Sequence, residues 1–332
     1  MGEAAQLIKN VSGWLKLYSD GSVERNGPEH LSFVTEPQPP HENEFIRGVK
    51  VKDVSIDDDS ALLVRIYLPE KTAVEGQKKR PIVLHFHGGG FCISQADWSM
   101  YYCFYSRLVD LTDAICVSVY LRNAPEHPLP AACEDGFSGL CWLLSLALGK
   151  TLEPWLTQHG DFTRIFLVGD STGGNIVHQV AIRAGQMDLS PAKLAGAVMI
   201  HPGFFWSERS KSERKDLETP FLTLDMMDNF LELALPEGRK NENPIFCPMG
   251  PHALALEKLR LVPMLLCIAE KDMLWDTAID YYEAMKKANQ EIDKFVSHEA
   301  THCFYLNPRA GETDQAKTMA LLQKLVDFIT AH

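Results

Sequence analysis

From Pro81 onward the chain alternates two patterns of apolar residues. Short, nearly unbroken aliphatic runs such as Pro81–Phe86, Arg164–Val168 and Met264–Ala269 end in glycine or polar turns, and the stretches between them carry apolar residues three and four apart. The first pattern reads as a strand buried on both faces, the second as a helix with one apolar face. Strands are predicted near 81–87, 114–121, 164–170, 195–202, 263–270 and 293–299, and helices near 98–112, 134–147, 174–185, 275–288 and 313–330. Such alternation implies a mostly parallel, doubly wound α/β sheet with helices on both faces. Ahead of it, Val49–Ile56 and Leu62–Leu68 flank the acidic turn 57–60 and predict a hairpin, and the polar stretch 71–80 predicts a surface loop.

Two segments depart from the alternation: residues 1–45, and an insertion at about 203–248 within the core unit 46–332. The insertion carries Leu224, Met227, Phe230, Leu231 and Leu235 at helical spacing beside the charged run Glu208–Lys215. It follows the carboxyl end of a strand, where open α/β sheets bind their ligands, so it is expected to cap a site with help from the N-terminal segment. A helix packed into the core is the plainer alternative. Neither segment offers an evident strand partner, which predicts mobility in both. Phe204, Phe205, Trp206, Met227 and Phe230 are expected to line an apolar pocket, with Phe91, Trp275 and Phe304 beside the strand ends and Met226, Trp14 and Phe33 adding to its roof.

Two of the strands end in segments that carry chemistry. Gly169-Asp170-Ser171-Thr172-Gly173-Gly174 lies between the strand 164–168 and the helical stretch Asn175–Ile182. A strand, sharp turn and helix in that order lift a serine hydroxyl clear of the sheet. Gly169 and Gly173 are needed there because a Cβ would collide with neighbouring backbone. The pentapeptide alone is a common pattern; its flanks give it meaning. The second segment, His87–Phe91, follows the strand 81–86. There the N–H groups of Gly88 and Gly89, with that of Thr172, are placed to face a developing oxyanion. A phosphate-binding loop would need Lys-Ser/Thr or Gly-x-Gly-x-x-Gly spacing, and neither is present.

A serine hydroxyl needs a base, itself oriented by an acid. With the serine on such a turn, the acid and then the histidine follow in chain order. Asp272, just past the strand 264–269, and His302, just past the strand 293–299, fit that order. Asp276 and Glu270 are rival acids. His298 falls inside a predicted strand, His178 on the helix after the turn, and His85, His127 and His201 all precede the acid.

Composition narrows the partners. The 332 residues are 45% hydrophobic, enough for a full core, and a formal charge of −12 argues against nucleic acid or an anionic membrane surface. No run approaches the ~18 apolar residues of a membrane span, no signal pattern opens the chain, and Gln6 breaks the myristoylation pattern at Gly2. Eight cysteines without a Cys-x-x-Cys pair read as reduced thiols, which together with the missing addresses predicts the cytoplasm, with the nucleus as a second compartment. Without His-Glu-x-x-His or clustered Cys/His spacing, neither a metal nor another cofactor is expected.

These motifs, with Gly13-Trp14-Leu15, Asp20–Val23, Ala124–Ala132 and His201-Pro202, make the chain resemble plant carboxylesterases of the hormone-sensitive-lipase type, in the α/β-hydrolase superfamily, over nearly its whole length. The resemblance implies the α/β-hydrolase fold, a cap from the N-terminal segment and the insertion, an oxyanion hole of Gly88, Gly89 and Thr172, and the triad Ser171, Asp272 and His302. Ala96–Tyr102, Glu218–Met226 and Tyr282–Lys287 are further similar to the branch that inactivates strigolactones. The implied partners are a small ester or lactone, strigolactone among them, and a second copy of the chain in a homodimer. Two departures stand out. The usual Tyr-Arg-Leu-Ala-Pro-Glu-His reads Leu121-Arg122-Asn123-Ala124-Pro125-Glu126-His127, and Thr172 replaces the usual Ser or Ala. Gibberellin receptors on this scaffold lack the histidine, and dehydratases and cyclases share the scaffold too, some dehydratases with threonine as nucleophile. The chain keeps His302 and Ser171, which implies hydrolysis.

Overall fold

The computed structural model describes residues 5–57, 61–70, 78–215, 217, 219–235 and 242–332. Its centre is a nine-stranded sheet. The apolar runs form β7 (Arg80–Phe86), β8 (Ile115–Val119), β9 (Gly160–Asp170), β10 (Leu194–Ile200), β11 (Met264–Ala269) and β12 (Ile292–Ser297), all mutually parallel. Every residue of β8, β10 and β11 is buried, as continuous apolar runs require of a sheet covered on both faces. The hairpin is β5 (Val49–Asp57) and β6 (Leu62–Pro69), joined antiparallel to β8. Residues 58–60 of its turn and 71–77 of the expected surface loop lie outside the described residues.

Strand order places the site. Across the sheet it runs β12-β11-β10-β9-β7-β8-β6-β5, with one further strand beyond β5. The chain moves outward from β7 to β8, then jumps back over β7 to β9 and continues the other way. Parallel crossovers are right-handed, so the reversal sends α2 (Ser99–Thr112) and α3 (Ala131–Ala147) to opposite faces. α3 packs against α5 (Thr172–Ala184), and α2 against α8 (Glu312–Ala331). The loops after β7 and β9 therefore diverge and leave a crevice at the strands' carboxyl ends. Register then sets neighbours: Phe86 pairs with Gly169 and Ile200 with Asp170, which brings Gly88 and Ser171 side by side above the sheet.

The N-terminal segment is not strandless. Leu7–Val11, Leu15–Tyr18 and Val23–Glu24 form their own antiparallel meander, β1 to β3, and β4 (His41–Ile46) pairs with β5 as the last strand of the main sheet. A boundary at residue 45 thus cuts β4. Polar side chains hide this strand in the sequence, and an edge strand carries them because one side of it faces solvent. Two short helices were not expected: α1 (Ser32–Thr35), and α4 (Pro154–His159), which Glu153 caps by accepting the Trp155 N–H at 2.9 Å. In the insertion, α6 (Leu224–Ala234) begins where Thr223 Oγ1 accepts the Met226 N–H, at 3.1 Å. The remaining helix of the core, α7 (Trp275–Lys287), follows β11.

Candidate active site

Ser171 occupies the turn between β9 and α5 with φ 48° and ψ −123°, a conformation serine adopts only under constraint. The constraint is visible: its N–H donates to Ile200 O, and its carbonyl accepts from Gly174 and Gly203, all at 2.9 Å. A Cβ on Gly169 would stand 2.3 Å from Gly173 O, and one on Gly173 would stand 2.0 Å from Phe86 O. Both glycines are thus dictated by close backbone approach, as expected. Asn175, on the first turn of α5, donates its amide to Gly203 O (2.9 Å) and Ile245 O (2.8 Å), tying both roots of the insertion to the serine turn.

His302 lies between the serine and an acid. Its Nε2 is 3.0 Å from Ser171 Oγ and its Nδ1 is 2.6 Å from Asp272 Oδ2, while Asp272 Oδ1 accepts the Leu274 N–H at 3.0 Å. Both side chains are buried. Burial opposes charge on each and is the largest single influence, but their mutual attraction outweighs it. The imidazole is held well above its ordinary 6.5 and the carboxyl below its ordinary 3.8. This is the arrangement in which a carboxylate orients an imidazole and stabilises its protonated form.

The rival groups have other partners. Asp276 accepts the Ser212 N–H at 2.7 Å and its own N–H donates to Ser212 Oγ, which holds the insertion against the acid loop. Glu270 accepts the Glu299 N–H at 2.9 Å and faces His298 on the surface. His178 bonds the Tyr281 hydroxyl at 2.9 Å, and burial pushes it down to about 4. His85 joins Ser118 Oγ (2.7 Å) to Asp170 Oδ1 (3.3 Å) beneath the serine turn, and His127 is exposed.

One of the expected oxyanion donors faces elsewhere. The Gly88 N–H points to Asp170 Oδ2 and the Tyr101 hydroxyl, each at 3.2 Å, so it fixes the loop instead of facing the cleft. Gly89 and Gly90, with φ of 104° and 64°, turn the next two N–H groups the other way. The N–H groups of Gly89, Gly90 and Thr172 have no partner among the described residues, and all three residues line the cleft beside Ser171. Gly90 thus replaces Gly88 in the set of free donors. Which glycine faces the cleft depends on positive φ values that the sequence does not encode.

The cleft holds about 750 Å³ of empty space, solvent at its mouth included. Phe205, Met227, Phe230 and Trp14 line it as expected, joined by Met100, Phe221, Phe246 and Leu306. Seven residues expected to line or roof it do not. Phe204 turns into the core against Tyr281, Phe91 packs edge-on to Phe246, and Phe304 lies against His201. Trp206 bonds Asp280 at 2.8 Å and shares a separate surface groove with Trp275. Of the expected roof, Phe33 likewise lies off the cleft, under Arg309, and Met226 is buried in the core. Consecutive residues of an extended segment face opposite ways, so Phe205 enters the cleft while Phe204 and Trp206 leave it. Trp14 closes the roof. It stacks on Trp98, meets Phe221 at a tilt, and its indole N–H donates to Pro220 O of the insertion at 3.1 Å.

Among the described residues one set of potential metal ligands converges: His201, His302 and Cys303, with ligand atoms within 4.8 Å of one another. Both nitrogens of His302 are engaged, by Asp272 and Ser171, and His201 Nδ1 accepts the Cys303 N–H at 2.9 Å, while His201 Nε2 has no partner among the described residues. The donor set serves the serine's base better than an ion. All eight cysteines are free thiols, six of them buried, and no described helix is long and apolar enough to cross a membrane.

Residues 83–306 match a family described as alpha/beta hydrolase fold. Among curated proteins the chain is similar to probable carboxylesterase 6 of Arabidopsis thaliana, 36% identical over 318 residues that cover 95% of this chain and 88% of the relative. It is also similar to the gibberellin receptor GID1C of Arabidopsis thaliana, 36% identical over 301 residues, 87% of this chain and 83% of the receptor. A solved esterase from Pyrobaculum calidifontis shares the fold, with a TM-score of 0.70 at 24% identity over 87% of each chain.

Proposed function

The chain belongs to the alpha/beta hydrolase fold family and is a serine ester hydrolase of the carboxylesterase type; on that premise we propose that Ser171, His302 and Asp272 cleave a small apolar ester or lactone. The observation that carries this reading is the unbroken chain from Ser171 Oγ through His302 to Asp272, beside three N–H groups with no partner among the described residues. His302 Nε2 takes the hydroxyl proton as Ser171 Oγ attacks the carbonyl carbon. The negative charge that forms on the carbonyl oxygen meets the N–H groups of Gly89, Gly90 and Thr172, while Asp272 stabilises the imidazolium. The imidazolium returns its proton to the leaving alcohol oxygen, and an acyl-serine remains. Water, deprotonated by His302 in turn, releases the acid by the same path reversed.

The mostly aromatic and aliphatic lining favours an uncharged substrate. Strigolactone fits that class: attack on its butenolide ring would release the tricyclic portion joined through the enol ether. The residues that resemble the strigolactone-inactivating branch support the same choice. Eight unpaired thiols suit the reducing cytoplasm. A homodimer is the expected assembly, read by light scattering.

The test is a panel of aryl esters, a strigolactone analogue and a gibberellin, assayed with the parent protein and with Ser171→Ala. Ser171-dependent release of the tricyclic alcohol supports the assignment. Saturable hormone binding without turnover would instead favour a receptor, the activity named in one of its relatives.

A further inference from the structure

The loop that carries the oxyanion donors is gripped from outside by the N-terminal segment. Arg25, just after β3, engages all three guanidinium nitrogens: Nε donates to Cys92 O at 2.6 Å, Nη2 to Ala124 O at 2.9 Å, and Nη1 to Glu126 Oε1 at 2.9 Å. Its side chain is 16% exposed and lines a separate surface groove, not the cleft. A partly exposed ion pair with Glu126 would contribute little by itself. The bond to Cys92 O reaches further.

A trans peptide group is planar, so its C=O and the N–H of the next residue point in opposite directions. The Cys92 carbonyl therefore shares one plane with the Ile93 N–H, which donates to Gly89 O at 2.9 Å. The Gly89 carbonyl in turn shares a plane with the Gly90 N–H, one of the three donors at the cleft with no partner among the described residues. Arg25, two peptide groups and the oxyanion position thus stand in one series. Every dipole in it points the same way, so each bond polarises the next. The loop also needs outside support, because Phe91 and Ser94 have φ of 62° and 80°, values that persist only where the surroundings over-determine them. Phe91 O accepts the Ala124 N–H at 2.8 Å and Ser94 O the Asn123 amide at 3.0 Å, and Arg25 supplies the contact between them.

We infer that Arg25 is a positioning residue for the reaction: through the peptide groups 92–93 and 89–90 it aims and polarises the Gly90 N–H that receives the oxyanion. The N-terminal segment then takes part in the chemistry as well as roofing the cleft. This rests on the carboxylesterase reading and deepens it.

The experiment measures the inhibition constants of hexyl trifluoromethyl ketone and hexyl methyl ketone on the parent, Arg25→Gln and Arg25→Lys, with kcat and KM for p-nitrophenyl acetate beside them. Ser171 Oγ adds to the trifluoromethyl ketone, its proton passes to His302, and the carbonyl oxygen becomes an anion at the loop, whereas the methyl ketone binds without addition. Arg25→Gln, which loses the charge, is expected to weaken the trifluoromethyl ketone about ten- to thirtyfold relative to the methyl ketone, less than the roughly 10²–10³-fold of a deleted donor. Its kcat should fall by a similar factor while KM stays within about threefold. Arg25→Lys keeps a charged donor for Cys92 O without the planar fork; it guards against misfolding and should fall between the parent and Arg25→Gln. An unchanged ratio of the two inhibition constants in both variants, whatever their Tm, overturns the inference and makes Arg25 an ordinary structural residue. A parent that neither hydrolyses the ester nor captures the trifluoromethyl ketone through Ser171 overturns the esterase reading, and this inference with it.

Discussion

Replacing Trp14 with alanine should uncouple large substrates from small ones. The indole is 2% exposed, borders the cleft, stacks on Trp98 (6.4 Å), meets Phe221 at a tilt (6.0 Å), and bonds Pro220 O at 3.1 Å. A fully enclosed tryptophan lost to alanine costs about 3–5 kcal/mol of stability. Here part of the vacated space opens into the cleft, where water can enter, so the loss should fall at the low end of that range. A bulky lactone that packs on this wall loses about 1.5–3 kcal/mol of contact. At 1.4 kcal/mol per decade that is roughly ten- to a hundredfold in kcat/KM. An aryl acetate, whose acyl group does not reach the roof, should lose less than about threefold. Trp14→Phe keeps one aromatic ring but loses the second ring of the indole together with its N–H, so its cost to the lactone should lie between that of the parent and that of Trp14→Ala. The assay is kcat/KM for p-nitrophenyl acetate and a strigolactone analogue on parent and both variants, with melting curves beside them. Equal losses on both substrates, tracking a lowered Tm, would refute the roof role and make Trp14 an ordinary core residue.

Three further outcomes follow from the geometry. Asp272→Asn should lower kcat by about 10³–10⁴-fold, because the imidazole loses its orienting carboxylate. Asp276→Asn, which disturbs only the bond to Ser212, should cost less than about tenfold, and the opposite ranking in steady-state kinetics would transfer the acid's role. His302 acts as a base only when neutral, and Asp272 holds it protonated to a pH above its ordinary 6.5. The parent's kcat/KM should therefore rise with pH along a limb centred above that value, and Asp272→Asn should move the limb to lower pH. A parental limb centred below 6.5 would contradict the pairing. Gly173→Ala places a Cβ 2.0 Å from a backbone carbonyl that cannot swing away, whereas Gly311 has nothing within 4 Å. Urea unfolding should show a loss of about 3 kcal/mol or more for the first and under about 0.5 kcal/mol for Gly311→Ala.

The parallel core was legible because burial on both faces leaves little choice of residue. Strands such as β10 and β11 are apolar throughout, and the turns after them are marked by glycine or charge. The acid and histidine could be read from chain order and from their place just beyond strand ends, since in a parallel sheet those ends share one edge. What stayed hidden depends on tertiary contact. β1 and β4 are largely exposed and carry mixed polar sequence, so no period marks them. The cleft lining was half legible: aromatic residues announced an apolar pocket, but whether Phe204 or Phe205 enters it is set by the phase of an irregular segment. Gly88 and Gly90 are indistinguishable as letters. Only the bond from Gly88 to Asp170 separates the anchor from the donor.

The central claim is that Ser171 carries the covalent step, and Ser171→Ala tests it most directly. The variant removes one oxygen from a turn that backbone bonds and glycines hold in place, so its melting curve should overlay that of the parent. Its turnover of p-nitrophenyl acetate should fall by at least about 10³-fold, since binding and the oxyanion donors alone cannot replace the nucleophile. Near-parental turnover in the folded variant would contradict the account.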